Sequence, residues 1–292
     1  MSDNSNDCEK AADEAITKLL ATATPTQKQL INKYITDLLL SNVKSPNRPR
    51  YTCCITGPIG VGKTTTVNEI IKFINEKYPD QLHIIREYID GRMKRTSGEL
   101  LTEYLQGKLT DPSFQNYIQS YYLDELKNPI LANKIVIMER CMSDSVAIFC
   151  NNANRKYGTW LPGKKNFEDI DFTIMYNVCI QADEIAGVPN YFKKNFQFSR
   201  IVTENIMGTV DKIKEIITND IATGVTNRVI GLCNTPEICF DRIKIRSRDG
   251  ETSYTQEDID VNTNAYEKLY NLIEDPEYKE IRVFDLGILF HK

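Results

Sequence analysis

Gly57-Pro58-Ile59-Gly60-Val61-Gly62-Lys63-Thr64 has the spacing G-x-x-x-x-G-K-[ST]. It follows the apolar run Cys53-Cys54-Ile55-Thr56 and opens a helical pattern, the setting in which such a loop holds phosphates. Glycines let the backbone curl until successive N–H groups face one anion. The helix that follows adds the partial positive charge of its N-terminus. From there Lys63 reaches the β- and γ-phosphates of a nucleoside triphosphate, and the Thr64 hydroxyl is placed for Mg²⁺. The motif specifies a bound triphosphate and leaves open what is done with it.

Other residues bear on the acceptor. Glu87 ends the apolar run Leu82–Glu87, and ligands of open α/β sheets lie at the carboxyl ends of strands. A carboxylate there can take a proton from an attacking hydroxyl, or simply be solvated. Glu139-Arg140 follows Lys134–Met138. The pair is suited to Mg²⁺ and to an anionic transition state, or to a local ion pair. Arg242 and Arg246 stand four apart, with Arg248 close behind. Guanidinium forks suit phosphate oxygens, and a solvated basic face is the plain alternative. Gln115, in Phe114–Gln119, offers one donor and one acceptor edge, enough to read a nucleobase.

Positioning these groups takes alternating strands and helices. Strands are expected at Tyr51–Thr56, Leu82–Glu87, Lys134–Met138, Arg228–Cys233 and Ile281–Asp285, and helices at Lys63–Lys77, Phe114–Glu125, Val210–Ile217 and Pro236–Arg248. The alternation implies an α/β fold with a roughly five-stranded parallel sheet flanked by helices. Runs such as Ile135-Val136-Ile137-Met138 suit a sheet buried on both faces. Before it, Cys8–Ala21 and Thr26–Leu40 read as helices, and Ser45–Arg50, with two prolines, reads as a linker. Residues 1–45 are therefore expected as a helical extension, disordered over 1–7, and 46–292 as the main domain.

Composition narrows the class. A net charge of −4 disfavours a nucleic-acid partner. No run approaches 18 apolar residues, so no membrane span is expected, and the polar, acidic start lacks a signal peptide's pattern. Eight cysteines without a C-x-x-C pair and only two histidines argue against zinc and for a reduced, cytoplasmic setting.

Taken together, the blocks resemble the deoxynucleoside kinase family, which spans cellular enzymes and herpesviral-type thymidine kinases. GPIGVGKTT resembles its phosphate loop, TDPSFQNYIQ its F-Q-x-Y block and MERCMSDSVAIF its E-R-S block. NNANRKYG loosely resembles the segment that follows, and TPEICFDRIKIRSRDGE resembles its arginine lid. The resemblance implies a P-loop kinase fold, with ATP held by Gly57, Gly60, Gly62, Lys63, Thr64, Thr65, Arg242, Arg246 and Arg248. It implies Glu87 as general base for the nucleoside 5′-hydroxyl, with Lys63 and Arg140 also catalytic. It puts Mg²⁺ on Thr64 and Glu139, the base on Gln115 and Phe149, the sugar 3′-hydroxyl on Tyr104 and Glu251, and adenine beside Asp285–Gly287. Since the family is often dimeric, a homodimer is expected too, unless the N-terminal helices alter it.

Departures from the family pattern are equally specific. Tyr88 stands where proline is usual after the base glutamate, Arg92 near a usual tryptophan, and Cys141 for the E-R-S serine. The interval 161–227 is longer than usual and is expected to carry an insertion. Tyr122 and Ser145 occupy positions where cytosine- or purine-preferring members carry Arg and Asp, which leans toward thymidine-like substrates. A thymidylate-type monophosphate kinase, using Arg86, Arg92, Lys94 and Arg95 for the acceptor phosphate, is the nearest rival. A non-catalytic nucleotide-binding subunit is another.

Overall fold

The computed structural model describes residues 48–89, 100–104, 106, 108–109, 111–150, 169–246, 251 and 254–277. The chain divides into two compact units, 1–44 and 45–292, and all described residues lie in the second. The expected N-terminal helices and the expected strand 281–285 fall outside the described residues.

Among the described residues, five parallel strands form one sheet. They are β1 (Tyr51–Thr56), β2 (Leu82–Ile85), β3 (Ile135–Glu139), β4 (Gln197–Val202) and β5 (Asn227–Cys233), in the order β2-β3-β1-β5-β4. Every residue of β1 and β3 is buried, which is why both read as continuous apolar runs. The register sets Ile55 opposite Glu139 and Thr56 opposite Gly231, so the strands end together at one edge.

Helix α1 (Lys63–Lys77) buries Val67, Ile70 and Ile74. The helix over Ile206–Thr223 buries Val210, Ile213 and Ile217, again at three- and four-residue spacing. The two stripes meet in one core with Ile55, Ile137 and Ile230. Each such side chain contributes roughly 1.5–3 kcal/mol on burial. A further helix, Gln256–Glu274, lies against β4 and β5. There, a Cβ at Gly231 would come within 2.7 Å of the Tyr270 ring and 2.8 Å of the Phe198 ring, so the position takes only glycine without repacking.

In chain order the other helices among the described residues include α2 (Asp111–Leu126), a short 3-10 turn (Pro129–Leu131), a π-helix (Ser145–Cys150) and α3 (Asp169–Ala186). Next come α4 (Ile206–Thr223, above), α5 (Pro236–Arg246) and α6 (Gln256–Glu274, above). The interval expected as an insertion thus supplies α3, β4 and α4. β4 is an edge strand whose alternating, half-exposed residues lack the apolar run that marks its neighbours. α4 is longer than the expected Val210–Ile217, with Asn205 capping one end and left-handed Gly224 the other. β2 stops at Ile85, two residues short of expectation. The Arg86 carbonyl accepts the Tyr121 hydroxyl (3.1 Å) instead of continuing the ladder, and this releases Glu87 from the sheet.

Candidate active site

The loop Gly57–Thr64 crosses the carboxyl ends of the strands between β1 and α1. Gly57, Gly60 and Gly62 have φ of 147°, 83° and 105°. A Cβ at Gly60 would stand 2.8 Å from the carbonyl carbon of Cys239 on α5, closer still to its oxygen, so this turn takes glycine on both counts. Asn262 on α6 supports the loop from outside, accepting the Ile59 N–H at 3.0 Å.

Lys63 is buried, and its Nζ donates to the carbonyls of Gly57 (3.1 Å) and Pro58 (2.8 Å). Burial, with Arg140 nearby, lowers its ammonium to about 7, although Glu87 and Glu139 pull the other way. Beside it the Thr64 hydroxyl donates to Glu139 Oε1, and Arg86 Nη1 lies 3.8 Å from Oε2. A hydroxyl and a fully buried carboxylate, adjacent at the loop's end, make an oxygen set that fits a hard divalent cation.

Arg140 follows β3 in the left-handed region, φ 74°. That conformation costs a non-glycine residue roughly 1–2 kcal/mol. Its N–H still bonds Ile55 O (2.9 Å), so the strand ends and the side chain turns inward. Nε donates to Glu87 Oε1 at 2.6 Å, and Nη1 donates to Gly57 O (3.1 Å) and to the Tyr266 hydroxyl (2.7 Å). Burial alone would lower its pKa, but Glu87, Tyr266 and Asp144 hold it well above the ordinary value. The guanidinium also lies 5.0 Å from the Phe149 ring centroid.

From α5, Arg242 donates to Val61 O (2.8 Å) and Thr203 O (3.1 Å), bracing the loop. Arg246 forks onto Glu251 at 2.6 and 2.7 Å, so a residue expected at the triphosphate is paired with one expected at the sugar.

A cavity of about 470 Å³ joins these groups. It runs from Gly60, Gly62, Lys63, Thr64 and Thr65 past Glu87 and Arg140 to an aromatic end. There Tyr104 stacks on Phe114 (4.2 Å, 11°), and Tyr88 meets the same ring edge-on (5.6 Å). Gln115 is buried with Oε1 lacking a hydrogen-bond partner among the described residues, and Phe149 and Glu251 also line the space. Among the described lining residues the cations are Lys63, Arg140, Arg242 and Arg246. The first three donate to loop carbonyls and the fourth to Glu251.

The expected residues thus gather around one cavity, with qualifications. Gly57 acts through its carbonyl, Glu139 stands behind Thr64 instead of facing the space, and Tyr122 lends its hydroxyl to Glu139 O (2.7 Å). Arg248 and Asp285–Gly287 fall outside the described residues. Sequence reasoning gave no part to Asp144, Tyr254, Asn262 or Tyr266. Asp144 lay inside the quoted E-R-S block, but the other three sit on a segment read neither as strand nor as helix. Among the described residues no helix is long and apolar enough to cross a membrane.

Residues 53–164 match the family model described as deoxynucleoside kinase. Solved structures similar to the chain include deoxyadenosine kinase from M. mycoides with products dCMP and a flexible dCDP bound. That likeness has 17% identity, covers 82% of this chain and 94% of that one, and has a TM-score of 0.46. The same kinase with bound dATP is 14% identical over 82% and 97% of the two chains, with a TM-score of 0.40. No curated protein matches.

Proposed function

We propose that the chain, whose residues 53–164 match the deoxynucleoside kinase family model, transfers the γ-phosphoryl group of ATP to the 5′-hydroxyl of a deoxynucleoside. The observation that carries this reading is the Glu87–Arg140 pair at 2.6 Å, lining one cavity between the phosphate loop and an aromatic pocket.

Phosphoryl transfer asks mainly for positioning and charge neutralisation. The loop amides and Lys63 bind the β- and γ-phosphates, with Lys63 leaving Gly57 O and Pro58 O to do so. Arg242, Arg246 and Arg248 close over the donor and exclude water. Thr64 and Glu139 would hold Mg²⁺, which when bound supplies charge neutralisation between the phosphates. Gln115 and Phe149 orient the base, and Tyr104 with Glu251 the sugar, so that the 5′-oxygen faces phosphorus. Glu87 accepts the hydroxyl proton, and Arg140 Nε holds that carboxylate in place.

A nucleoside suits this cavity better than its monophosphate. Glu87, Asp144 and Glu251 line the space. A 5′-phosphate beside Glu87 would add like charge in a partly buried site. Tyr122, tied to Glu139 O, and the small Ser145 favour a thymidine-like pyrimidine read by Gln115. The setting is cytoplasmic, and a homodimer is the assembly in keeping with the family.

Glu87→Gln keeps the shape and removes the proton acceptor. Turnover is expected to fall about 100- to 10,000-fold. Thymidine binding, followed by calorimetry, should stay within about threefold. Unchanged turnover would remove Glu87 from this role.

A further inference from the structure

Asp144 is a fully buried carboxylate at the cavity wall to which the steps above give no task. Both its oxygens are occupied. Oδ2 accepts the Thr56 hydroxyl (2.5 Å) and the Cys141 N–H (3.2 Å), and Oδ1 accepts the Tyr191 hydroxyl (2.6 Å). Three of its roughly four acceptor positions are thus filled from within the protein, by groups on three different segments.

The identity of the donors is informative. Thr56 is the residue before Gly57, whose carbonyl receives both Lys63 Nζ and Arg140 Nη1 at 3.1 Å. Cys141 is the residue after Arg140, where the backbone leaves its left-handed turn. The Asp144 N–H in turn donates to Cys141 O (3.0 Å), so the two residues are bonded to each other in both directions across one tight turn. Tyr191 fixes the carboxylate from the segment after α3. One side chain thus joins the start of the phosphate loop to the turn that aims Arg140 at Glu87.

We infer that Asp144 is a positioning residue, holding the phosphate loop and Arg140 in mutual register so that donor and acceptor are aligned for transfer. The inference rests on the kinase reading. The charge of the carboxylate matters as well as its shape. Arg140, Thr56 and Tyr191 all favour its ionised form against the desolvation that raises its pKa.

The test is a double-mutant cycle on ATP–Mg²⁺ affinity, which needs no turnover. Asp144→Asn is expected to weaken ATP about fivefold in the wild-type background and less than about twofold once Arg140 is alanine. Equal losses in both backgrounds would overturn the inference, as would unchanged affinity. Should Asp144→Asn fail to fold, Tyr191→Phe removes one donor only. Its effect is expected to be about threefold and likewise to vanish with Arg140→Ala. In turnover, Asp144→Asn should lower kcat with the nucleoside KM within about twofold. A wild type that phosphorylates no nucleoside contradicts the kinase reading, and the ATP cycle still decides the role of Asp144.

Discussion

Lys63 shows how a single residue stores the response of this site to its ligand. Its ammonium is folded onto two carbonyls in a buried place beside Arg140, and its pKa falls from 10.5 to about 7. Between those values the unfolded chain carries a proton that the folded chain lacks, so this group's contribution to stability rises with pH across that window. Phosphate oxygens beside Nζ favour the charged form. ATP binding is therefore expected to take up a fraction of a proton at about pH 8.5. Calorimetry in buffers of different ionisation enthalpy measures that uptake, and Lys63→Met should abolish it while weakening ATP. Uptake unchanged in the variant would place the titrating group elsewhere. Arg140 is the complementary case, a cation kept charged by Glu87 and bound in three directions.

At the scale of elements, the loop is held between α5 and α6, through Cys239 and Asn262. Gly60→Ala adds one methyl group where the backbone is left-handed and the Cys239 carbonyl is already in contact. The strained backbone alone costs roughly 1–2 kcal/mol, and α5 must shift as well. A lowered Tm and ATP affinity reduced about tenfold or more are expected; wild-type values in both would mean that the loop is not held this way. The same elements explain what could be read from sequence. β1, the loop and α1 were legible because a buried parallel strand, a glycine pattern and an amphipathic stripe coincide over 51–77. β3 was legible for the same reason up to Glu139. β4 was not, because Gln197, Ser199 and Arg200 at a sheet edge break the apolar run. α6 was not, although Thr255 and Asp258 form a capping box at its start. Its buried stripe includes Asn262, Thr263, Tyr266 and Tyr270, polar or amphipathic types whose burial depends on partners far away in sequence. The loop of the site could thus be located early, whereas the groups that brace it, Asn262, Tyr266 and Asp144, became visible only through contacts across the fold.

Across the whole molecule, stability and chemistry are set at opposite ends of the sheet. At the amino ends of β1 and β5, Asp220 of α4 is fully buried and accepts Arg228 through two bonds (2.5 and 2.7 Å) and the Tyr51 hydroxyl (2.9 Å). That network fixes α4 on the sheet without touching the cavity. At the carboxyl ends, the loop, Glu87 and Arg140 converge with α2, α5 and α6, where open α/β sheets hold ligands. On the proposed reading, the arrangement takes a triphosphate at one end and an uncharged acceptor against the aromatic side chains at the other. The most direct measurement is product formation from ATP–Mg²⁺ with thymidine, other deoxynucleosides and thymidine monophosphate offered separately. The expected result is a 5′-monophosphate from deoxynucleosides, fastest from thymidine, with little turnover of the monophosphate. Diphosphate formed from the monophosphate alone, or ATP bound with no acceptor phosphorylated, would contradict it.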